Sequence, residues 1–268
     1  MMEIVFLGTR AADLDPAEIE RQAGAAFSRD VRRNAAALID GHILIDCGPG
    51  VPGALSILGV APQTVTDLLV THTHRDHILP ESVALIADAR KKAGLPPLTV
   101  WCEGGAAFRF ADIDGVHVSV LTPLSPVMIG KLTVTPLPSN HRVEDSPENT
   151  LHHYLEEDGH TLFYGLDGGW LTTREYDFLC GKHTDVFVFD GTVGDYIGDQ
   201  RMGSHNSVPM IRMMLASLRN EGAFAEDGLI LLSHIAPVLY GGMDHEQTAR
   251  LLQKDGLHAA YDGMTIRL

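Results

Sequence analysis

The apolar run Leu68-Leu69-Val70-Thr71 stops on His72-Thr73-His74-Arg75-Asp76-His77, which places three histidines and an aspartate within six residues. Imidazole and carboxylate groups are the donors that zinc, manganese and iron accept. In an extended chain His72 and His74, two residues apart, point to one side. Asp76 and His77 follow where the pattern predicts a turn into a helix, placed to aim at a second ion. Such a loop is useful only at the edge of a sheet, where other strands end nearby and can complete the donor set. Polar donors recur at the tips of apolar runs elsewhere: Asp46 in Asp46-Cys47-Gly48, His141 after Leu137, Asp167 after Tyr164-Gly165-Leu166, and His234 after Leu231-Leu232-Ser233.

The hydrophobic pattern around these tips is mixed. Strands are predicted over Glu3–Leu7, Ala36–Ile39, His42–Asp46, Asp67–Thr71, Leu98–Cys102, Val116–Leu121 and Leu132–Leu137. Asp40-Gly41 and Asp158-Gly159 suit the tight turns of hairpins. Helices are predicted over Leu79–Lys92, Thr172–Leu179, Val208–Asn220 and Asp244–Gln253, alternating late in the chain with strands Asp185–Phe189 and Leu229–Ser233. The segment Arg10–Asn34 reads as either a short helix or a lid. Two short strands are expected around Asp262-Gly263. Hairpins with interspersed helices imply an α/β protein of two mixed sheets, packed together and covered outside by helices. One unit spanning 1–268 is expected, since 268 residues lie near the upper limit for one core.

Composition narrows the function. The net charge of −15 makes the chain a poor ligand for long nucleic acid, whose affinity comes largely from Lys and Arg. A small-molecule substrate is favoured. Cys47, Cys102 and Cys180 are scattered without a C-x-x-C pair, which argues against a disulfide framework or a thiolate zinc cluster and for small buried residues. No apolar run approaches the roughly 20 residues needed to cross a bilayer. Met1–Gly8 lacks the basic and small-residue elements of a signal peptide, so a soluble, cytoplasmic protein is expected. Eight further histidines, His152 and His153 among them, show no clustering and are read as structural or surface residues. Trp170 and Tyr196 are read as core or pocket residues.

His72-x-His74-x-Asp76-His77 resembles the defining motif of the metallo-β-lactamase superfamily, whose fold is an αββα sandwich. The resemblance runs over essentially the whole chain and takes in Asp46, His141, Asp167 and His234. It implies one divalent ion held by His72, His74 and His141, another held by Asp76, His77 and His234, and Asp167 bridging them; the ions would be zinc or manganese, with iron also accepted. Asp46 is expected to orient the loop rather than ligate. His74 stands where a redox-active diiron branch carries glutamate, so hydrolysis is expected, with a water shared and activated by the two ions. Leu7-Gly8-Thr9, Tyr261-Asp262-Gly263-Met264-Thr265-Ile266 and Gly203-Ser204-His205-Asn206-Ser207 are similar to segments of phosphoribosyl 1,2-cyclic phosphate phosphodiesterases of the carbon–phosphorus lyase pathway. That likeness implies a small phosphoester substrate, phosphonate metabolism, a homodimer, and His205 as general acid beside the catalytic Asp76. No clustered cysteines occur between Arg10 and Asn34, so a structural zinc is not expected there. The polar segment Arg142–Asn149 also departs from the family pattern.

Overall fold

The computed structural model describes the backbone of residues 1–268 and every side chain except those of Pro16, Glu20 and Ala23. The first half runs through β1 (Glu3–Gly8), α1 (Pro16–Ala23), β2 (Ala36–Ile39), β3 (Ile43–Ile45), α2 (Val51–Leu58), β4 (Asp67–Leu69), α3 (Pro80–Lys92), β5 (Leu98–Glu103) and β6 (Val116–Leu121). The second half opens with β7 (Val127–Ile129), β8 (Leu132–Pro138), β9 (Leu151–Glu157), β10 (His160–Gly165), α4 (Thr173–Leu179) and β11 (Thr184–Asp190). It closes with α5 (Val208–Asn220), β12 (Phe224–Ser233), α6 (His245–Gln253), β13 (His258–Ala259) and β14 (Thr265–Arg267). Two seven-stranded sheets result, ordered β14-β1-β2-β3-β4-β5-β6 and β13-β12-β11-β10-β9-β8-β7.

Burial on both faces explains why the strands are apolar runs rather than alternating ones. In β1, Ile4 and Phe6 enter the core between the sheets, while Val5 and Leu7 face the helices outside. The inter-sheet core joins Phe6, Ile45 and Leu69 to Leu155, Tyr164, Val188 and Leu231. Outside the first sheet, Val51 and Leu55 of α2 and Val83 and Ile86 of α3 pack on Leu44, Leu68 and Val100. Outside the second, Ile211 and Leu215 of α5 and Leu252 of α6 cover Phe163, Phe187 and Leu232. The order of layers is helix, sheet, sheet, helix.

Strand direction places the site. β3 to β6 pair in parallel, and so do β10 to β13. Their carboxyl ends therefore share an edge in each sheet. Asp46 follows β3, His72 follows β4, Asp167 follows β10, Asp190 ends β11 and His234 follows β12. β8 runs in the direction of β10, because β9 is antiparallel to both, so His141 emerges at the same edge.

Some details differ from the sequence pattern. The ambiguous stretch after Arg10 contains α1, whose start is capped by the Asp15 side chain accepting from Glu18 N. β7 was not foreseen; it is three residues long and pairs with β8 through a turn at Gly130. The strands flanking Asp262-Gly263 do not pair with each other: β13 joins β12 and β14 joins β1. Trp170 and Tyr196 are 40% and 58% exposed, so neither is core. Cys180 is half-buried, and only Cys47 and Cys102 are fully inside; all three are free. Among the described residues no helix is long and apolar enough to cross a membrane.

Candidate metal centre

His72, His74, Asp76, His77, His141, Asp167 and His234 meet where the two carboxyl edges converge. His72, His74 and His141 form one group, and Asp76, His77 and His234 another. Asp167 lies between the groups. Its Oδ1 is 3.1 Å from His234 Nε2, and its Oδ2 is 3.4 Å from His77 Nε2 and 3.8 Å from His72 Nε2.

Each of the five histidines has one ring nitrogen turned outward onto an acceptor. His72 Nδ1 donates to Thr71 Oγ1 at 3.0 Å, and that hydroxyl donates to Asp46 Oδ2. His77 Nδ1 donates to the same Asp46 oxygen at 2.7 Å. His141 Nδ1 donates to the Ser204 carbonyl at 3.1 Å, His234 Nδ1 to Thr192 Oγ1 at 2.7 Å, and His74 Nε2 to Glu144 at 3.4 Å. A neutral imidazole with one nitrogen donating has only a lone pair on the other. The inward nitrogens crowd together: His72 Nε2 and His141 Nε2 are 2.9 and 3.0 Å from His74 Nδ1, lone pair against lone pair, and His77 Nε2 is 3.2 Å from His234 Nε2, a contact that a proton on His77 or a shared cation relieves. Tetrahedral bonds of about 2.0–2.1 Å to a shared zinc would set neighbouring nitrogens about 3.3–3.4 Å apart. Asp167 Oδ1 is buried without a hydrogen-bond partner, facing the same space. Inward lone pairs and an orphaned carboxylate oxygen fit a pair of divalent cations.

Electrostatics points the same way. Burial holds His72 well below the ordinary imidazole range and takes His141 down to about 4, so both rings stay neutral. Burial also pushes His77 down, but Asp167, Asp76 and Asp46 outweigh it and hold the ring well above its usual value. That is the proton a cation would displace. Asp167, penalised by burial, is nevertheless held well below the carboxylate range by His234 and His77.

The loop itself is braced from two sides. Asp46, fully buried with a φ of 61°, accepts from Thr71 N and Thr71 Oγ1 as well as His77. Glu148 folds back from the polar segment after His141 and accepts from Thr73 N and Thr73 Oγ1. Beside the centre, His205 Nδ1 donates to Asp190 Oδ2 at 2.7 Å, and the ring stacks on His234 at 5.6 Å between centroids. Burial lowers the His205 pKa, yet the charge and hydrogen bond of Asp190 lift it to about 9. Asp190 was missed in the sequence, although it ends the apolar run Val186-Phe187-Val188-Phe189 in the manner of the other tip residues. A cavity of about 420 Å³ opens over the centre, lined by Asp76, Asp167, Arg201, His205, Val238 and Leu239 among others. Neither Trp170 nor Tyr196 lines it.

The two terminal segments singled out in the sequence prove to be one structure. Thr9 Oγ1 donates to Asp262 Oδ1 at 2.9 Å, and Asp262 Oδ2 accepts from Arg33 N at 2.7 Å and pairs with the buried Arg33 guanidinium at 3.2 Å.

Two mixed sheets face to face, helices on both outer surfaces and a His/Asp cluster at the strand tips define a metallo-β-lactamase fold. Comparison with solved structures agrees over the whole chain. The metallo-β-lactamase fold protein YhfI from Bacillus subtilis is similar with a TM-score of 0.72 at 16% identity, covering 99% of this chain and 98% of that one. A diphosphatase from the PhnP family gives 0.73 at 17% identity, covering 100% and 98%. By sequence, the family described as "Anti-Pycsar protein Apyc1" matches residues 22–85. A ribonuclease Z from Methanothermobacter thermautotrophicus is 37% identical over 81 residues, 30% of this chain and 22% of the relative. The chain thus spans about a fifth of the length of the curated relatives it matches.

Proposed function

We propose that the protein is a dinuclear metal-dependent hydrolase that cleaves a small phosphodiester, a cyclic one such as phosphoribosyl 1,2-cyclic phosphate being the favoured substrate. One observation carries it: two histidine groups turn ring nitrogens inward on either side of Asp167, next to the His205–Asp190 pair. His72, His74 and His141 would hold one cation, Asp76, His77 and His234 the other, and Asp167 both. Bound there, zinc, manganese or iron supplies Lewis acidity and lowers the pKa of water.

The remaining chemistry belongs to the chain. With Nδ1 engaged by Asp190, His205 offers Nε2 to the cavity, where it can protonate a departing oxygen. Asp76 lines the same cavity and can take a proton from water. The leaving oxygen of a cyclic phosphate stays tethered, so the product is a phosphomonoester. Phosphorus chemistry is supported by the names of the PhnP-family diphosphatase and of ribonuclease Z. A small substrate is supported by a cavity of about 420 Å³, within the range of ordinary ligand sites, and by the charge of −15.

The ribonuclease Z match favours a second reading, cleavage of an RNA 3′ end. Manganese- and zinc-loaded protein assayed on bis(p-nitrophenyl) phosphate, cyclic phosphodiesters and a precursor tRNA separates the two. Turnover of cyclic phosphodiesters without tRNA cleavage is expected. Cleavage of the tRNA alone overturns the small-substrate assignment, and inertness on every phosphoester overturns the phosphodiesterase assignment.

A further inference from the structure

We propose that His152, seated by Glu175, is a positioning residue that fixes Asp167 between the two histidine groups. The inference rests on the metal-binding part of the reading above and extends it to residues that do not line the cavity and offer no ligand atom to the cluster.

His152 and His153 are neighbours on β9 and face opposite ways. His153 Nε2 donates to the Val70 carbonyl, at the root of the histidine loop. His152 is 3% exposed and points into the second sheet's outer side, where Nε2 donates to the Asp167 carbonyl at 3.0 Å and Nδ1 donates to Glu175 Oε1. Both partners are pure acceptors, so the ring donates from both nitrogens. A charged pair this deep is costly, and an apolar pair of similar volume is often as stable or more so. Stability therefore does not explain why this strand carries histidine here.

What the pair does is hold one atom. The Asp167 carbonyl accepts twice, from His152 and from Ser139 Oγ at 2.7 Å. Ser139 in turn accepts the backbone N–H of His141, so one hydroxyl spaces a residue of the first histidine group from Asp167. Behind His152, Glu175 is fully buried and uses its second oxygen to accept from Thr172 N, closing the capping box at the start of α4. Thr172 Oγ1 donates to the Pro138 carbonyl, at the end of β8. The carbonyl of Asp167 is thus backed by a helix start and two strands, elements that hold a site more tightly than a loop does.

Residue 168 shows that space was made for the ring. A Cβ on Gly168 would lie 2.7 Å from both His152 Cε1 and His152 Nε2, closer than carbon atoms approach. Histidine at 152 and glycine at 168 form a matched set.

The test is Mn²⁺ affinity by chelator competition on the full chain, with electron paramagnetic resonance reporting whether two Mn²⁺ are coupled. In the double variant H152L/E175Q the helix cap can persist and no buried charge is left alone. It is expected to bind Mn²⁺ about 10- to 100-fold more weakly, as is usual when groups behind a ligand are removed, and to lose the coupled signal while the metal-free protein melts near the wild-type temperature. H152Q/E175Q, in which a side-chain amide N–H can still reach the carbonyl, is expected to restore most of both. Gly168→Ala is expected to weaken binding when His152 is present and to cost much less in an H152A/E175Q background, where only the 3.2 Å approach to Ser139 Oγ remains, which keeps the proposal testable if H152L/E175Q does not fold. Wild-type affinity in H152L/E175Q, a glutamine no better than leucine, or equal costs of Gly168→Ala in both backgrounds overturns it. A wild-type chain that takes up no Mn²⁺ overturns the metal centre and this proposal together. A wild-type chain that binds two Mn²⁺ and cleaves no phosphoester overturns only the proposed reaction.

Discussion

Asp46 shows how much of the centre depends on residues that do not face the cavity. Its two oxygens take three hydrogen bonds from Thr71 and His77, with no exposed surface. Asp46→Ala leaves His77 free to rotate and change tautomer. Metal affinity is expected to fall by about 10- to 100-fold, measured by chelator competition. His205→Ala should behave differently, keeping its metal content by elemental analysis while turnover on an unactivated cyclic phosphate drops by about 10²- to 10⁴-fold. The sign of its pH dependence follows from Asp190: with the pKa lifted to about 9, His205 is protonated at neutral pH. The rate it supports is complete at low pH and is lost as pH rises toward that value, at a lower midpoint when cations sit beside it. Wild-type rates should therefore show an alkaline fall that is missing in His205→Ala; the same fall in both excludes His205 as its source.

At the scale of elements, the organising fact is that parallel strands deliver polar residues to one edge. That was legible in the sequence wherever a histidine or a dense motif marked the tip, as at 72–77, 141 and 234. Asp190 carries the same signature and escaped notice because, unlike Asp46 and Asp167, no family motif took it in, and by itself an aspartate after an apolar strand is also what an ordinary turn contains. Glu175 was hidden more deeply, since Thr172-x-x-Glu175 is fully accounted for as a capping box and nothing in it reveals a histidine on a distant strand. Arg33 is 2% exposed against the usual preference of arginine for the surface; its charge is met by Asp262, far off in sequence, while the Ala25 carbonyl accepts from the guanidinium and the Phe27 ring packs against it. α4 gives a prediction of its own. Thr172→Ala removes the bond to Glu175 N and should cost about 1 kcal/mol in denaturant unfolding; a loss within error would mean that the Glu175 half of the box suffices.

Across the whole molecule, the centre is shared between the sheets: His72, His74, Asp76 and His77 come from the first, His141, Asp167 and His234 from the second. Cations held there would tie the two layers together and stabilise the folded chain by mass action, by about 2.7 kcal/mol at a hundredfold excess over the dissociation constant. Chelation should lower the melting temperature by several degrees, and a melting curve indifferent to chelator would show that nothing bridges the layers. The helix–sheet–sheet–helix order was legible because each apolar run is bounded by turn residues and the late alternation of helix and strand is clear. The pairing of β14 with β1 was not, because partners at opposite ends of the chain leave no local trace. The most direct measurement is the metal content of protein purified without chelator, for the wild type and for Asp167→Ala. Two transition-metal ions per chain are expected, with the variant deficient in both. A wild type free of metal, or an Asp167→Ala chain that retains two ions, contradicts a centre in which one carboxylate serves both sites.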